Sequence, residues 1–353
     1  MSDLSDKKLK ILLFGPVTNT RANLVGGATI SFGYLTDYLH RNQYPVVLVN
    51  TQKWLLDFRR YFNPFYVLIK ALLSAPFTQV IFLNSSRGGT KYLAPILYLL
   101  AKLTGNKFIF RPFGGDIKDY TAGYAGWQKW IFNNTILKAD IFFLQTQELL
   151  DFYADSGANI IQLSTSRDRP PVEVLRGDRP YQKRFIYLGY INEAKGINHL
   201  LAAAKILSDD YCVHIYGPIK EDKFQKIFDQ HPGIYQGVLE KEAVLPTLQK
   251  YDVLVLPTYY EGEGYPGAIV EAYSLGLPVI STQWKAIPEI VEQEQTGRLI
   301  MPQSTDALVD AMRFFTVENY PEYSNNASNY FSENFDADQV AGKAIDRILA
   351  LMN

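Results

Sequence analysis

With 353 residues, 47% of them hydrophobic and 20% charged, the chain has the length and composition of two globular domains, each able to bury a sizeable core. A single cysteine, Cys212, excludes an intrachain disulfide and an all-cysteine zinc site. The net charge of −1 hides an uneven distribution: residues 1–170 hold 19 Lys and Arg against 11 Asp and Glu, and residues 171–353 hold 16 against 25. A first half at +8 joined to a second at −9 points to an anionic surface or substrate for the first half. The charged N-terminus runs straight into an apolar strand and does not read as a signal peptide. No stretch of about 20 residues is apolar enough to span a bilayer. A cytoplasmic protein is the expectation.

In chain order, Lys10 to Gly15 predicts a first parallel strand, and Thr29 to Arg41 a helix with Ile30, Phe32, Leu35 and Leu39 as its apolar residues. Tyr44 to Val49 is a second strand. Gly26 and Gly27, between the first strand and the helix, make an anion-ready helix start. From Lys53 to Phe77, aromatic and aliphatic residues such as Trp54, Phe58, Phe62 and Phe65 are punctuated by Lys53, Arg59, Arg60 and Lys70. That interleaving suits a helix lying on an anionic membrane surface, and two buried helices broken near Pro64 give the same pattern.

Strands are expected at Thr78 to Asn84 and Lys107 to Arg111, with a helix over Tyr92 to Leu103. The second of these strands delivers Pro112-Phe113-Gly114-Gly115-Asp116. It places a carboxylate at the strand's C-terminal end, the edge where open α/β sheets gather ligand groups. Asp116 is thus a candidate ligand-contacting carboxylate, with loop capping as its other reading. Trp127 to Leu137 is amphipathic, and Asp140 to Thr146 closes the strands of the first domain. Ser164 to Pro180, rich in Arg, Asp and Pro, reads as a linker.

The second domain opens with a strand at Arg184 to Gly189, a loop holding Tyr190, Lys195 and Gly196, and a helix from Asn198 to Ser208. Strands at Val213 to Gly217 and Ile234 to Leu239 precede a helix at Lys241 to Tyr251. Next comes the most informative stretch, Asp252 to Thr282. Val253 to Leu256, closed by Pro257, reads as a buried parallel strand. An acidic, glycine-rich loop, Glu261 to Gly264, leads into a helix at Gly267 to Leu275, and Gly276 can take the positive φ of its C-terminus.

Backbone N–H groups between Gly264 and Ala268 point out of that helix and favour a diphosphate, and glycines at 262, 264 and 267 permit close approach. Glu271 can accept from the vicinal hydroxyls of a ribose. Glu263, eight residues earlier, can hold hydroxyls beyond the phosphates. Phosphate between two such carboxylates describes a nucleotide sugar.

Glu263-Gly264-Tyr265-Pro266, Glu271-Ala272 and Gly276-Leu277-Pro278-Val279-Ile280 resemble the E-x7-E donor motif of glycosyltransferase family 4, a family of retaining enzymes. The resemblance is close over most of 184–302 and loose over the first domain. It implies an α/β architecture called GT-B, two Rossmann-like domains facing each other across a cleft. The acceptor domain would be 1–165 and the donor domain 181–334, with a final helix, about 335–353, crossing back. It further implies that the Gly26-Gly27 loop faces the donor phosphates, that Gly237-Val238 contacts the base, and that Gly264, Tyr265, Pro266 and Gly267 line the donor site. Gly189, Lys195 and Gly196 match the family's G-R-x4-K-G, whose Arg and Lys neutralise the diphosphate. Tyr190 stands where that Arg would be, and Phe113 where relatives often carry His.

The expected activity is retaining, metal-independent hexosyl transfer from a UDP- or GDP-linked sugar, with no cofactor. Lys195 and the helix N-termini would stabilise the leaving diphosphate, Glu263 would position the sugar, Glu271 the ribose and Asp116 the acceptor. The acceptor would be a glycan or a lipid-linked glycan in bacterial-type cell-surface polysaccharide or glycolipid assembly, at the inner face of the membrane. The four histidines form no H-x-x-x-H pair and nothing resembles a nucleic-acid module. Two rivals are a nucleotide-sugar epimerase of the same fold and, given Phe113 and Tyr190, a catalytically silent binding protein.

Overall fold

The computed structural model describes residues 8–17, 27–51, 63–113, 115–171, 180–231 and 233–352. They fall into two compact units, Met1–Ser166 with Ala337–Asn353, and Arg167–Asp336.

In the first unit the elements run β1 (Ile11–Gly15), α1 (Gly27–Arg41), β2 (Val46–Asn50), α2 (Asn63–Ser74), β3 (Val80–Ser85), α3 (Ala94–Thr104) and β4 (Lys107–Pro112). They continue through α4 (Ile117–Ala122), α5 (Gly126–Thr135), β5 (Ile141–Leu144), α6 (Gln147–Tyr153) and β6 (Ile160–Gln162). All strand pairs are parallel, in the order β2-β1-β3-β4-β5-β6. The runs at β1 and β3 are buried throughout because helices cover both faces of the sheet. On one face, Phe32, Leu35 and Leu39 of α1 pack with Val340, Ala344 and Ile345 of the C-terminal helix, Ala337–Ala350. On the other, Val67 and Ala71 of α2, Leu97 and Ala101 of α3 and Phe132 of α5 share a core with Ile81, Leu83, Phe108 and Phe110.

One expectation changes here. The strand at Asp140 to Thr146 does not close the sheet, since β6 lies beyond it, too short and too exposed to carry a periodic signal. Residues 53–62 of the aromatic-basic stretch lie outside the described residues. The rest of that stretch is α2 and a single 3-10 turn, Ala75–Phe77. Pro64 sits in the first turn of α2, where a missing N–H disturbs no helical bond.

The second unit runs β7 (Arg184–Leu188), α7 (Ile197–Ile206), β8 (Cys212–Tyr216), α8 (Lys223–Asp229), α9 (Lys241–Leu248) and β9 (Val253–Leu256). It ends with α10 (Gly267–Ser274), β10 (Val279–Thr282), β11 (Gly297–Ile300), α11 (Thr305–Phe314) and α12 (Tyr320–Asn334). Its sheet is again parallel, ordered β11-β10-β9-β7-β8. Gly276 closes α10 at φ 69°, as expected of a left-handed cap. The strand expected at Ile234 to Leu239 is not formed. Tyr235 makes one bridge to Ile215, and Gly233 (φ 95°) and Gly237 (φ 88°) turn the backbone on either side. Nor does the whole of Ser164 to Pro180 behave as a linker. Thr165, Ser166 and Arg167 are buried, and the Arg167 N–H donates to the carbonyl of Phe335 at 3.0 Å.

The order of this second sheet has a consequence for binding. The chain leaves β7 for β8 on one side and returns to β9 on the other. Loops leaving the carboxyl ends of β7 and β9 therefore start side by side and diverge. In open α/β sheets ligands bind at such a switch point.

Candidate active site

Loops from β7 and β9 are clasped to each other. After β7, the Asn192 side chain accepts from the Lys195 N–H at 3.0 Å and caps the 3-10 turn Glu193–Lys195. Gly196 then adopts φ 75°, and a Cβ there would stand 2.1 Å from the carbonyl oxygen of Pro257, just past β9. Glycine at 196 is thus required twice, by conformation and by close approach. Two residues further along the second loop, the Tyr259 N–H donates to the Ala194 carbonyl at 2.7 Å.

This clasp brings Lys195 and Glu263 together across 68 residues of sequence. Lys195 Nζ lies 2.5 Å from Glu263 Oε2, with side chains only 13% and 8% exposed. The same oxygen accepts from Thr258 Oγ1 at 2.7 Å, and Nζ sits 5.0 Å from the centroid of the Tyr260 ring. Two desolvated charges are tolerated because each has the other and the carboxylate has a hydroxyl besides. Beneath them, the Tyr187 hydroxyl donates to the Tyr190 carbonyl at 2.6 Å. Burial first, and the Glu263 charge second, push that phenol well above its ordinary range, so it stays a donor.

The second carboxylate is held from an unexpected direction. Arg167 Nε lies 2.9 Å from Glu271 Oε1, with side chains 7% and 19% exposed. Its guanidinium covers the first turn of α10 so closely that a Cβ on Gly267 would come within 2.1 Å of Nη2. Pro266 is the N-cap residue, and no side chain caps the helix start. Gly264, Pro266 and Gly267 are half-buried around it. Tyr265 turns inward instead: its ring belongs to the core and its hydroxyl donates to Glu289 Oε2 at 2.6 Å.

Tyr190 is exposed, and its ring centroid lies 4.7 Å from Lys220 Nζ. A cation therefore stands beside the position where the family pattern has arginine. Gly237 accepts from the Gly217 N–H at 2.9 Å, and Val238 next to it is exposed. Sequence reasoning missed Arg167, Thr258, Tyr260 and Lys220. Thr258 and Tyr260 flank the strand end already singled out, and so could have been suspected. Arg167 and Lys220 carry no spacing signal, because folding alone makes them neighbours of Glu271 and Tyr190.

In the first unit, Gly26 lies outside the described residues and Gly27 opens α1. Asp116 is the N-cap residue of α4, and its side chain makes no cap hydrogen bond to that helix. Arg87 pairs with it, with Nε 2.9 Å from Oδ2. Phe113 is half-buried, 5.9 Å from the Arg111 guanidinium. Among the described residues no three His, Cys, Asp or Glu side chains gather as a metal site would require.

Two parallel α/β units of this topology define the GT-B class of fold. Across 97% of this chain and 100% of the other, the structure resembles HepE of Anabaena, solved in complex with UDP and glucose. The TM-score is 0.69 and the identity 14%, a likeness of fold alone.

By sequence, residues 182–316 match the family described as "Glycosyl transferases group 1". The sulfoquinovosyl transferase SQD2 of Arabidopsis thaliana is 29% identical over 143 residues, 39% of this chain and 28% of that protein. The amylovoran biosynthesis glycosyltransferase AmsK of Erwinia amylovora is 28% identical over 137 residues, 35% of this chain and 34% of that one. The chain spans less than half the length of the curated relatives it matches.

Proposed function

We propose that the chain is a retaining glycosyltransferase of family 4 that moves a hexosyl group from a UDP- or GDP-linked donor to an acceptor hydroxyl. The observation that carries this reading is the Lys195–Glu263 pair at the switch point, beside the uncapped start of α10. The names of the relatives support transfer over epimerisation, and an epimerase would further need an acid and a base on the sugar ring.

In this reading the donor's diphosphate meets the start of α10 and Lys195, with Lys220 as a second cation in place of the missing arginine. Arg167 positions the Glu271 carboxylate for the ribose diol. Glu263, relieved of part of its ion pair, accepts from sugar hydroxyls. The anomeric C–O bond breaks, its electron pair passes to the diphosphate, and the fixed cations stabilise that charge where another fold would use a divalent metal. The acceptor oxygen bonds to the anomeric carbon on the same face, and its proton goes to the departing phosphate oxygen. Asp116 is the carboxylate assigned to orienting the acceptor. The basic first half and the amylovoran relative support a glycan or lipid-linked acceptor in surface polysaccharide assembly.

The test is a transfer assay with α-linked UDP- and GDP-sugars and a panel of octyl glycosides, read by proton NMR. The expected result is nucleoside diphosphate release with an α-linked product, unchanged by EDTA. A β-linked product, loss of activity in EDTA, or an isomerised sugar without nucleotide release would each contradict the reading.

A further inference from the structure

Helices α2 and α3 are apolar on both sides, and α5 adds two tryptophans to an outer face that also carries Lys129, Asn133 and Asn134. The inner faces of all three pack on the first sheet through Val67, Ala71, Leu97, Ala101 and Phe132. Their outer faces should then be polar, as on an ordinary surface helix. On α2 and α3 they are not. On α2, Phe65, Tyr66, Ile69, Leu72 and Leu73 are exposed at i, i+1, i+4, i+7 and i+8, and Phe77 follows in the next turn. Along α3 and the turn before it, Tyr92, Ile96, Leu99 and Leu103 repeat the stripe, with Leu103 85% exposed. On α5, Trp127 and Trp130 are 63% and 67% exposed. Because α3 packs against both the Ala75–Phe77 turn and α5, the stripes join into one patch. Exposed apolar patches of this extent on a soluble surface mark an interaction site.

Charge identifies the occupant. The sequence from 63 to 115 contains no Asp or Glu, and neither does α5, whereas Lys70, Lys91, Lys102, Lys129 and Lys138 lie on or beside these helices. The carboxylate nearest Lys102, Asp140 at 3.9 Å, is also held by Lys107 at 3.2 Å. A second copy of the chain placed on this face by two-fold symmetry would set lysine against lysine, with Asp140 already shared by Lys102 and Lys107 and no acid on α2, α3 or α5 to answer them. A bilayer with anionic headgroups meets both demands, taking the aromatic and aliphatic side chains among its acyl chains and pairing the lysines with phosphates. None of the described helices is long and apolar enough to cross a membrane, so the contact is with the surface.

We propose that the face formed by α2, α3 and α5 docks the first unit onto an anionic lipid bilayer. The contact is independent of donor chemistry and goes beyond the transfer reaction proposed above.

The experiment is co-sedimentation of the full chain with vesicles of phosphatidylcholine alone and of phosphatidylcholine mixed equally with phosphatidylglycerol. Binding is expected to the mixed vesicles and to weaken with salt. The triple variant Leu103→Ser/Trp127→Ser/Trp130→Ser removes only exposed side chains, so its thermal unfolding should match the wild type, while partition falls at least about tenfold. Lys102→Gln/Lys129→Gln/Lys138→Gln should lose about tenfold or more of the preference for phosphatidylglycerol. A wild-type chain that stays in the supernatant overturns the proposal, as does undiminished binding by the triple serine variant. So does a wild-type dimer that the serine variant dissociates without any vesicle binding.

Discussion

Replacing Lys195 by methionine is expected to lower kcat/KM for sugar transfer by about 10² to 10³, the usual loss when one preorganised contact to developing charge is removed. It should also destabilise the second unit by about 3 kcal/mol, because Glu263 would remain a buried carboxylate with a single hydroxyl partner. The two effects are separable. A buried ion pair replaced on both sides by apolar groups of similar volume is close to neutral for stability. Lys195→Met/Glu263→Met should therefore recover most of the lost stability, measured by urea unfolding, and recover no turnover. Recovery of turnover in the double variant would mean that neither residue acts on the substrate, and both the place of Lys195 on the leaving group and that of Glu263 on the sugar would have to be given up.

Gly196→Ala is expected to cost clearly more than Gly237→Ala, although both glycines have positive φ, 75° and 88°. A Cβ at 237 meets nothing within 4 Å, so the penalty there is that of the left-handed backbone alone, about 1–2 kcal/mol. At 196 the added carbon stands 2.1 Å from a backbone oxygen of Pro257, which has no rotamer to escape into. The strand end or the Lys195 turn must move. A shift of either carries Lys195 away from Glu263, so the variant should lose activity as well as stability, whereas Gly237→Ala keeps Lys195 in place. Equal destabilisation by the two substitutions, in the same urea titration, would show that the two loops are not clasped at this point.

Most of the strands could be read in the sequence because parallel strands covered on both faces are continuous apolar runs, as at Ile11–Gly15, Val80–Ser85 and Val253–Leu256. Reading failed where that logic weakens. Ile234 to Leu239 has strand-like residues, but two glycines at positive φ break its pairing after one bridge. Helix α12 is rich in Asn, Ser and Tyr, and tertiary packing of Tyr320, Tyr323, Ala327 and Phe331 overrides its weak propensity.

The candidate site divides the same way. Glu263, Glu271 and Lys195 stand out by their place on loops and a helix start. Thr258 and Asn192 are local, but the partners across the fold come from sequence distances such as the 104 residues between Arg167 and Glu271, which no local pattern encodes. The outer stripes of α2, α3 and α5 were legible as apolar residues, but periodicity cannot say whether a second apolar face is buried or open.

The central claim is that the second unit holds a nucleoside diphosphate sugar between Lys195 and Glu271. Thermal unfolding of the wild type and of Glu271→Ala, each with UDP, GDP, ADP and their sugar derivatives, tests it most directly. A ligand at about 100 times its Kd adds about 2.7 kcal/mol, a rise in Tm of roughly 5–10 °C for a unit of this size. The account predicts such a rise with one of these bases in the wild type, and its loss or sharp reduction in Glu271→Ala. Absence of any shift in the wild type, or an equal shift in both proteins, would contradict it.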